Sequence, residues 1–172
     1  MHVKQKKWVI TLGALMIVGG LTGCGAQEGT QSHDSTSHAN HGGQQHVAGD
    51  VRELTAGVSV LPSFVKGLDP KVGQIYQIAA ANADVLKSIP CYCGCGESVG
   101  HKSNLDCFIH EMKPNGQIVW DSHGTKCGTC LDIAAESAML KQEGKSLKEI
   151  RQIIDSKYKD GYAAPTPTPM PS

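Results

Sequence analysis

Aromatic side chains are scarce in this 172-residue chain, at two Phe, two Trp and four Tyr. Few large rings leave a modest core, which a metal or cross-links would help to hold. Net charge is absent too, since 16 basic residues balance 16 acidic ones. No clustered basic face is present, and that excludes the electrostatic footprint of a nucleic-acid binder. There is no Gly-x-Ser-x-Gly, no His-Glu-x-x-His and no phosphate-binding loop, so the usual hydrolase and nucleotide motifs are missing. Glu97, Asp106, Glu111 and Asp121 are scattered without pairing logic and read as solvated loop charges. No internal repeat is visible. Nothing in this inventory indicates a turnover reaction.

Long apolar runs are confined to the start of the chain. Lys4, Lys6 and Lys7 precede an uncharged stretch from Trp8 to Leu21, the pattern of a secretory signal peptide rather than a stable span. Its ending, Leu21-Thr22-Gly23-Cys24, resembles the bacterial lipobox. That resemblance implies cleavage before Cys24, a diacylglyceryl thioether on it, and anchoring on the extracytoplasmic side of the cell membrane. Losing residues 1–23 removes three lysines and no acid, leaving a slightly acidic mature chain. An exported address permits disulfides, so each cysteine must be weighed both as thiol and as disulfide.

Residues 24–50 are rich in Gly, Gln, Ser and His and have little to bury, which predicts a flexible tether. His33, His38, His41 and His46 lie in it and read as a polar spacer, although a His-rich tract can also collect metal loosely. Residues 163–172 alternate Pro with Thr or other small residues, predicting an extended, exposed tail. Residues 51–162 remain for one small domain.

Three helices are expected there, giving a mainly α fold with an irregular cysteine-rich loop. Asp69-Pro70 reads as a cap and first-turn proline. Val72, Ile75, Tyr76, Ala79, Ala83 and Leu86 then recur at helical spacing until Pro90. A second helix should open near Cys127 and stop at Gly144. Ser146-Leu147-Lys148-Glu149 is a capping box opening a third. Between them, Pro114-Asn115-Gly116 marks a turn and Gln117 to Trp120 a short strand. The stretch from Val51 to Phe64 has no clear period, and Pro62 ends it.

Abundance appears in one residue type. Seven cysteines are present, and six remain once Cys24 is set aside. Cys91, Cys93 and Cys95 alternate, which puts their sulfurs on one side of an extended chain, and Gly94 and Gly96 allow them to converge. Cys107 follows, and Cys127-x-x-Cys130 forms a second arm at a helix start, where the N-terminus favours thiolate. Thiolates grouped with imidazole select soft ions, copper first and zinc second. The expected ligands are Cys91, Cys93, Cys95, Cys107, Cys127 and Cys130, with His101 as auxiliary. His110 follows Phe108 and Ile109 and reads as structural.

Two other readings stand beside this one. An even cysteine count in a small exported domain also suits a disulfide framework. Cys127-x-x-Cys130 also has the layout of a thiol–disulfide exchange pair, for which a redox partner protein would be expected. In the metal reading the partner is instead a metal donor or acceptor.

Pro90-Cys91-Tyr92-Cys93-Gly94-Cys95, with Gly100 to Ser103, Asp106-Cys107-Phe108 and Cys127 to Cys130, resembles the bacterial family named for the PCYCGC motif. The likeness runs from about Leu61 to Tyr162 and implies a lipoprotein in which the cysteine set matters. A weaker likeness, from Cys127 through the Gly144 turn to Tyr158, is similar to the small helical thiol oxidoreductases of cytochrome c maturation. It implies a redox role for Cys127 and Cys130, though the interval between Cys130 and Gly144 is short for that family.

Overall fold

A four-stranded antiparallel sheet in the order β1-β2-β4-β3 carries one side of the domain. Its strands are β1 (Gln44–Val47), β2 (Asp50–Thr55), β3 (Ile109–Met112) and β4 (Ile118–Asp121). The computed structural model describes residues 44–47 and 49–172. The expected signal peptide, the expected lipidation residue Cys24, and His33, His38 and His41 lie outside the described residues, as does the side chain of His46. No helix among the described residues is long and apolar enough to cross a membrane.

The sheet overturns the expectation of a mainly α domain, and the fold is mixed α and β. Of its strands, only β4 carries an apolar signal strong enough to read. In β2 the buried ends are Asp50 and Thr55, while Leu54 is exposed, so the apolar alternation that marks a half-buried strand never appears. What holds β2 is pairing and polar contact. Arg52 lies opposite Asp121 in the register with β4 and binds its carboxylate at 3.1 Å. Thr55 Oγ1 accepts a 2.7 Å hydrogen bond from Trp120 Nε1. Asp121 is therefore a buried, paired charge rather than a solvated loop acid. Ordered sheet also starts at Gln44, ahead of the Val51 at which a domain was expected to begin.

Among the described residues five α-helices accompany the sheet: α1 (Pro70–Ala81), α2 (Ala83–Leu86), α3 (Cys95–Ser98), α4 (Gly128–Gln142) and α5 (Leu147–Tyr158). Asp69 caps α1 by accepting from the Lys71 backbone N–H at 2.9 Å, and Pro70 occupies the first turn as expected. The expected single helix through Leu86 is broken at Asn82, whose side-chain amide donates back to Ile78 O. Such local side-chain bonding competes with helix continuation. Gly144, at φ +82°, ends the α4 turn and leads to the Ser146–Glu149 capping box of α5.

The few aromatics are concentrated where they bury most. Tyr76 of α1 meets Phe108 edge-on at 5.1 Å and Phe64 at 5.8 Å, with Trp120 of β4 at 6.0 Å. This cluster joins α1 and α4 to the sheet and merges directly with Cys91, Cys95, Cys107 and Cys130. A second apolar group, including Ile133, Ile150, Ile154 and Tyr158, fastens α5 to α4. The sulfur-bearing residues thus sit inside the core rather than in a loop hung from it.

The Pro/Thr tail also differs from expectation. It is extended but not wholly exposed, because Thr166 and Thr168 are buried. Alternation puts these two threonines on one side, where Thr166 N–H donates to Cys91 O and Thr166 Oγ1 accepts from Cys91 N, both at 2.9 Å. Arg151 Nη1 reaches Thr168 O and Pro169 O at 3.1 Å each. Prolines supply no donors but keep their carbonyls as acceptors, and Arg151 uses that of Pro169 together with that of Thr168.

Candidate metal centre

Pro90 ends the helical region, Cys91 and Tyr92 have no regular structure and Cys93 lies in a bend, with Tyr92 turned the other way to bond Asp155 Oδ1 at 2.7 Å. Gly94 then adopts φ +86°, a left-handed conformation that a side chain would resist, and α3 begins at Cys95. The bend and the glycine turn together bring the three cysteines to one place. All three sulfurs lie within 4.8 Å of one another, with Cys91 and Cys93 at 3.4 Å.

The second arm comes from the head of α4. Cys127 is its N-cap and accepts the Cys130 backbone N–H at 3.2 Å. Cys130 points inward to Cys91 Sγ at 3.2 Å and Cys93 Sγ at 3.5 Å. Cys107 enters from the short turn before β3, 3.8 Å from Cys95 Sγ and 3.5 Å from His101 Nδ1. All six cysteines are free thiols. The structure thus brings together every sulfur expected, and His101 with them. His110 is exposed on β3 and stands apart from the cluster.

Two participants were not on the sequence-derived list. His123 Nε2 faces Cys93 Sγ at 3.9 Å, and its ring meets that of His101 edge-on at 4.8 Å. Its other nitrogen, Nδ1, lies 3.0 Å from Asp50 Oδ2. A carboxylate accepting from Nδ1–H turns Nε2 toward the sulfurs, the second-partner arrangement of ligating histidines, and a metal bound there would displace the Nε2 proton. Proximity to Cys127 was the only sequence signal for His123, and Asp50 lay in what read as tether.

Buried thiols this close share protons unequally. Hydrogen bonds from Cys107, Cys127 and Cys130 hold Cys91 and Cys93 far below the ordinary thiol value. Cys107 and Cys127 are pushed up, chiefly by donating to Cys130 and then to Cys91 and Cys93. Donation from Cys107 and Cys127 to Cys130 is outweighed by its own bonds to Cys91 and Cys93 and by burial, so it too is raised. The helix N-terminus was expected to lower Cys127 and Cys130, and the neighbouring sulfurs overturn that. His123 is raised to about 9 by Cys93 and, against burial, by Asp50, while burial lowers His101.

One side of the cluster is open. A cleft of about 430 Å³ is lined by Asp50, Cys93, Val99, His123, Lys126 and Cys127. Cys93 and Cys127 are half-buried, whereas the other four cysteines are buried. Four overlapping sets of donors each have the spacing to hold an ion: Cys95–His101–Cys107–His123, Cys91–Cys107–Cys130, Cys91–Cys93–Cys95 and Cys93–Cys127–Cys130.

A family model described as a protein of unknown function with PCYCGC motif matches residues 11–171. The chain belongs to the PCYCGC-motif family. Its defining hexapeptide is the stretch that places three of the six clustered sulfurs, and the matched span includes the other three and both histidines. Neither the curated proteins nor the solved structures provide a match. Membership therefore carries a motif and a span, and the chemistry must come from the donors themselves.

Proposed function

We propose that this PCYCGC-family protein is a lipid-anchored, extracytoplasmic binder of a soft metal ion, copper before zinc, that carries or hands on the metal rather than turning over a substrate. One observation carries the reading: six free thiols and two imidazoles gather in one cluster that is open on one side. Thiolate and imidazole donors favour copper(I) and zinc over the hard cations, which want oxygen. Cys93, Cys127 and His123 face the cleft, giving an incoming donor protein access while the remaining sulfurs stay shielded. The lipobox-like Leu21 to Cys24 supports anchoring at the membrane, with Cys24 carrying the lipid and residues beyond it spacing the domain from the surface.

Metal analysis of the full chain purified anaerobically from an oxidising compartment tests this. Copper or zinc at or above one ion per chain, lost on Cys93→Ser with Cys130→Ser, is the expected result. A metal-free protein with its six thiols paired as disulfides would replace the reading with a cross-linked scaffold. Anchoring is tested separately by Cys24→Ser, which should release the protein from the membrane fraction.

A further inference from the structure

We infer that the cluster is built for two soft metal ions sharing a sulfur bridge at Cys91, not for one. This rests on the metal-binding reading above and deepens it.

A single tetrahedral ion takes four donors. Eight are gathered here, and by chemistry they divide into two sets that lie against each other. Cys95, His101, Cys107 and His123 form a complete two-sulfur, two-nitrogen set with all four ligand atoms within 4.8 Å of one another. Cys93, Cys127 and Cys130 form a second, all-sulfur set on the cleft side, sharing no residue with the first. With Cys91 shared, the second set reaches four donors and the first five, a number zinc-like ions also accept.

Cys91 belongs to neither set and joins both. Its sulfur lies within 4.8 Å of Cys95 and Cys107 on one side. On the other it is 3.4 Å from Cys93 and 3.2 Å from Cys130. Only Cys127, among the clustered cysteines, is not grouped with it. A thiolate has lone pairs for two metals, and metal–sulfur bonds of about 2.3 Å would put both ions within reach of this one atom. Cys91 is also the cysteine whose backbone is held at both N–H and C=O by Thr166, so the shared sulfur stands on a fixed segment.

The sulfur packing points the same way. A lone ion in the first set would leave Cys91, Cys93 and Cys130 packed at 3.2–3.5 Å with no metal to bring them together. A lone ion in the second would leave Cys95 and Cys107 in the same position at 3.8 Å.

The test is metal loading of the full, reduced chain with cadmium(II) alone, read by native mass spectrometry and cadmium NMR. Two ions per chain are expected, giving two resonances from unlike donor sets, coupled to each other through the shared sulfur. His101→Ala should remove or shift the resonance of the nitrogen-bearing set and leave the all-sulfur one. Cys91→Ser should abolish the coupling. If that variant does not fold, the coupling in the parent chain and the His101→Ala result decide the matter. Saturation at one ion per chain would overturn the bridged pair while leaving the metal-binding reading in place. No ion at all would overturn both. Two uncoupled ions would overturn the Cys91 bridge.

Discussion

Asp50 Oδ2 lies 3.0 Å from His123 Nδ1, and the opposite edge of that ring faces Cys93 Sγ. The pair ties the first residue of β2 to the turn before α4, two segments 73 residues apart. Asp50 also meets Lys126 Nζ at 3.5 Å, so the carboxylate is fixed from two directions at the mouth of the cleft. Its role is to choose the imidazole tautomer and hold the ring in line with the sulfurs. Asp50→Asn keeps the shape and removes the charge. Metal affinity should fall about 10- to 100-fold, as it does when such outer partners are lost elsewhere. Competition with a chromogenic chelator measures this, and an unchanged affinity would show that His123 is not a ligand.

Tyr76 supports the same turn from beneath. Its hydroxyl donates to Asp121 O at 2.8 Å, and Asp121 Oδ1 accepts the His123 backbone N–H at 2.9 Å. Tyr76→Phe leaves a buried carbonyl without its donor, which costs about 1–3 kcal/mol. Urea unfolding should show that loss as a lower midpoint with an unchanged slope.

These two contacts also show where sequence reasoning stopped. Helix ends were legible because Asp69, Pro70, Gly144 and the Ser146–Glu149 box act within a few residues of themselves. The six cysteines were legible because their number and spacing are unusual. Asp50 and His123 were not, since their meaning depends on β2 pairing with β4, and β2 buries Asp50 and Thr55 rather than an apolar face. Thr166 was hidden for a similar reason: a Pro/Thr repeat reads as solvated until Cys91 is found beside it.

Gly124 illustrates close approach rather than unusual backbone. A Cβ there would sit 2.7 Å from Phe108 Cε1 and 2.9 Å from Cys107 O, both buried and unable to yield easily. Gly124→Ala should cost about 1–3 kcal/mol through overpacking. Because the displaced atoms flank His123 and Cys107, metal affinity should fall as well. Thermal unfolding of the metal-free chain beside chelator competition separates the two effects.

The α5 capping box gives a pH-dependent test remote from the sulfurs. Bonds from the Ser146 hydroxyl and backbone N–H hold the Glu149 carboxyl below its usual value. A depressed carboxyl stabilises the fold fully above its unfolded value, about 4.3, and that stabilisation is lost as pH falls through the folded value. Glu149→Gln should therefore unfold at a lower temperature than the parent near neutrality. The gap should close below about pH 4, and a gap that widens in acid would rule out the box as its source.

Removing residues 163–172 tests whether the tail guards the centre. Thr166 bonds both backbone groups of Cys91, Ala163 N–H donates to Tyr92 O at 3.1 Å, and Thr168 Oγ1 donates to Lys102 O at 2.5 Å. Each such bond contributes about 0.5–1.5 kcal/mol net, so the three to Cys91 and Tyr92 together restrain the PCYCGC segment substantially. Without them Cys91, now buried, should become reactive toward a thiol-alkylating reagent in the metal-free chain. Metal release to a chelator should also quicken. Thr166→Val removes the hydroxyl contacts to Cys91 N–H and Thr168 Oγ1 but keeps the backbone bond to Cys91 O, and should move both readouts in the same direction by less. Equal alkylation of Cys91 in the parent and truncated chains would show that the tail lies against the motif without protecting it.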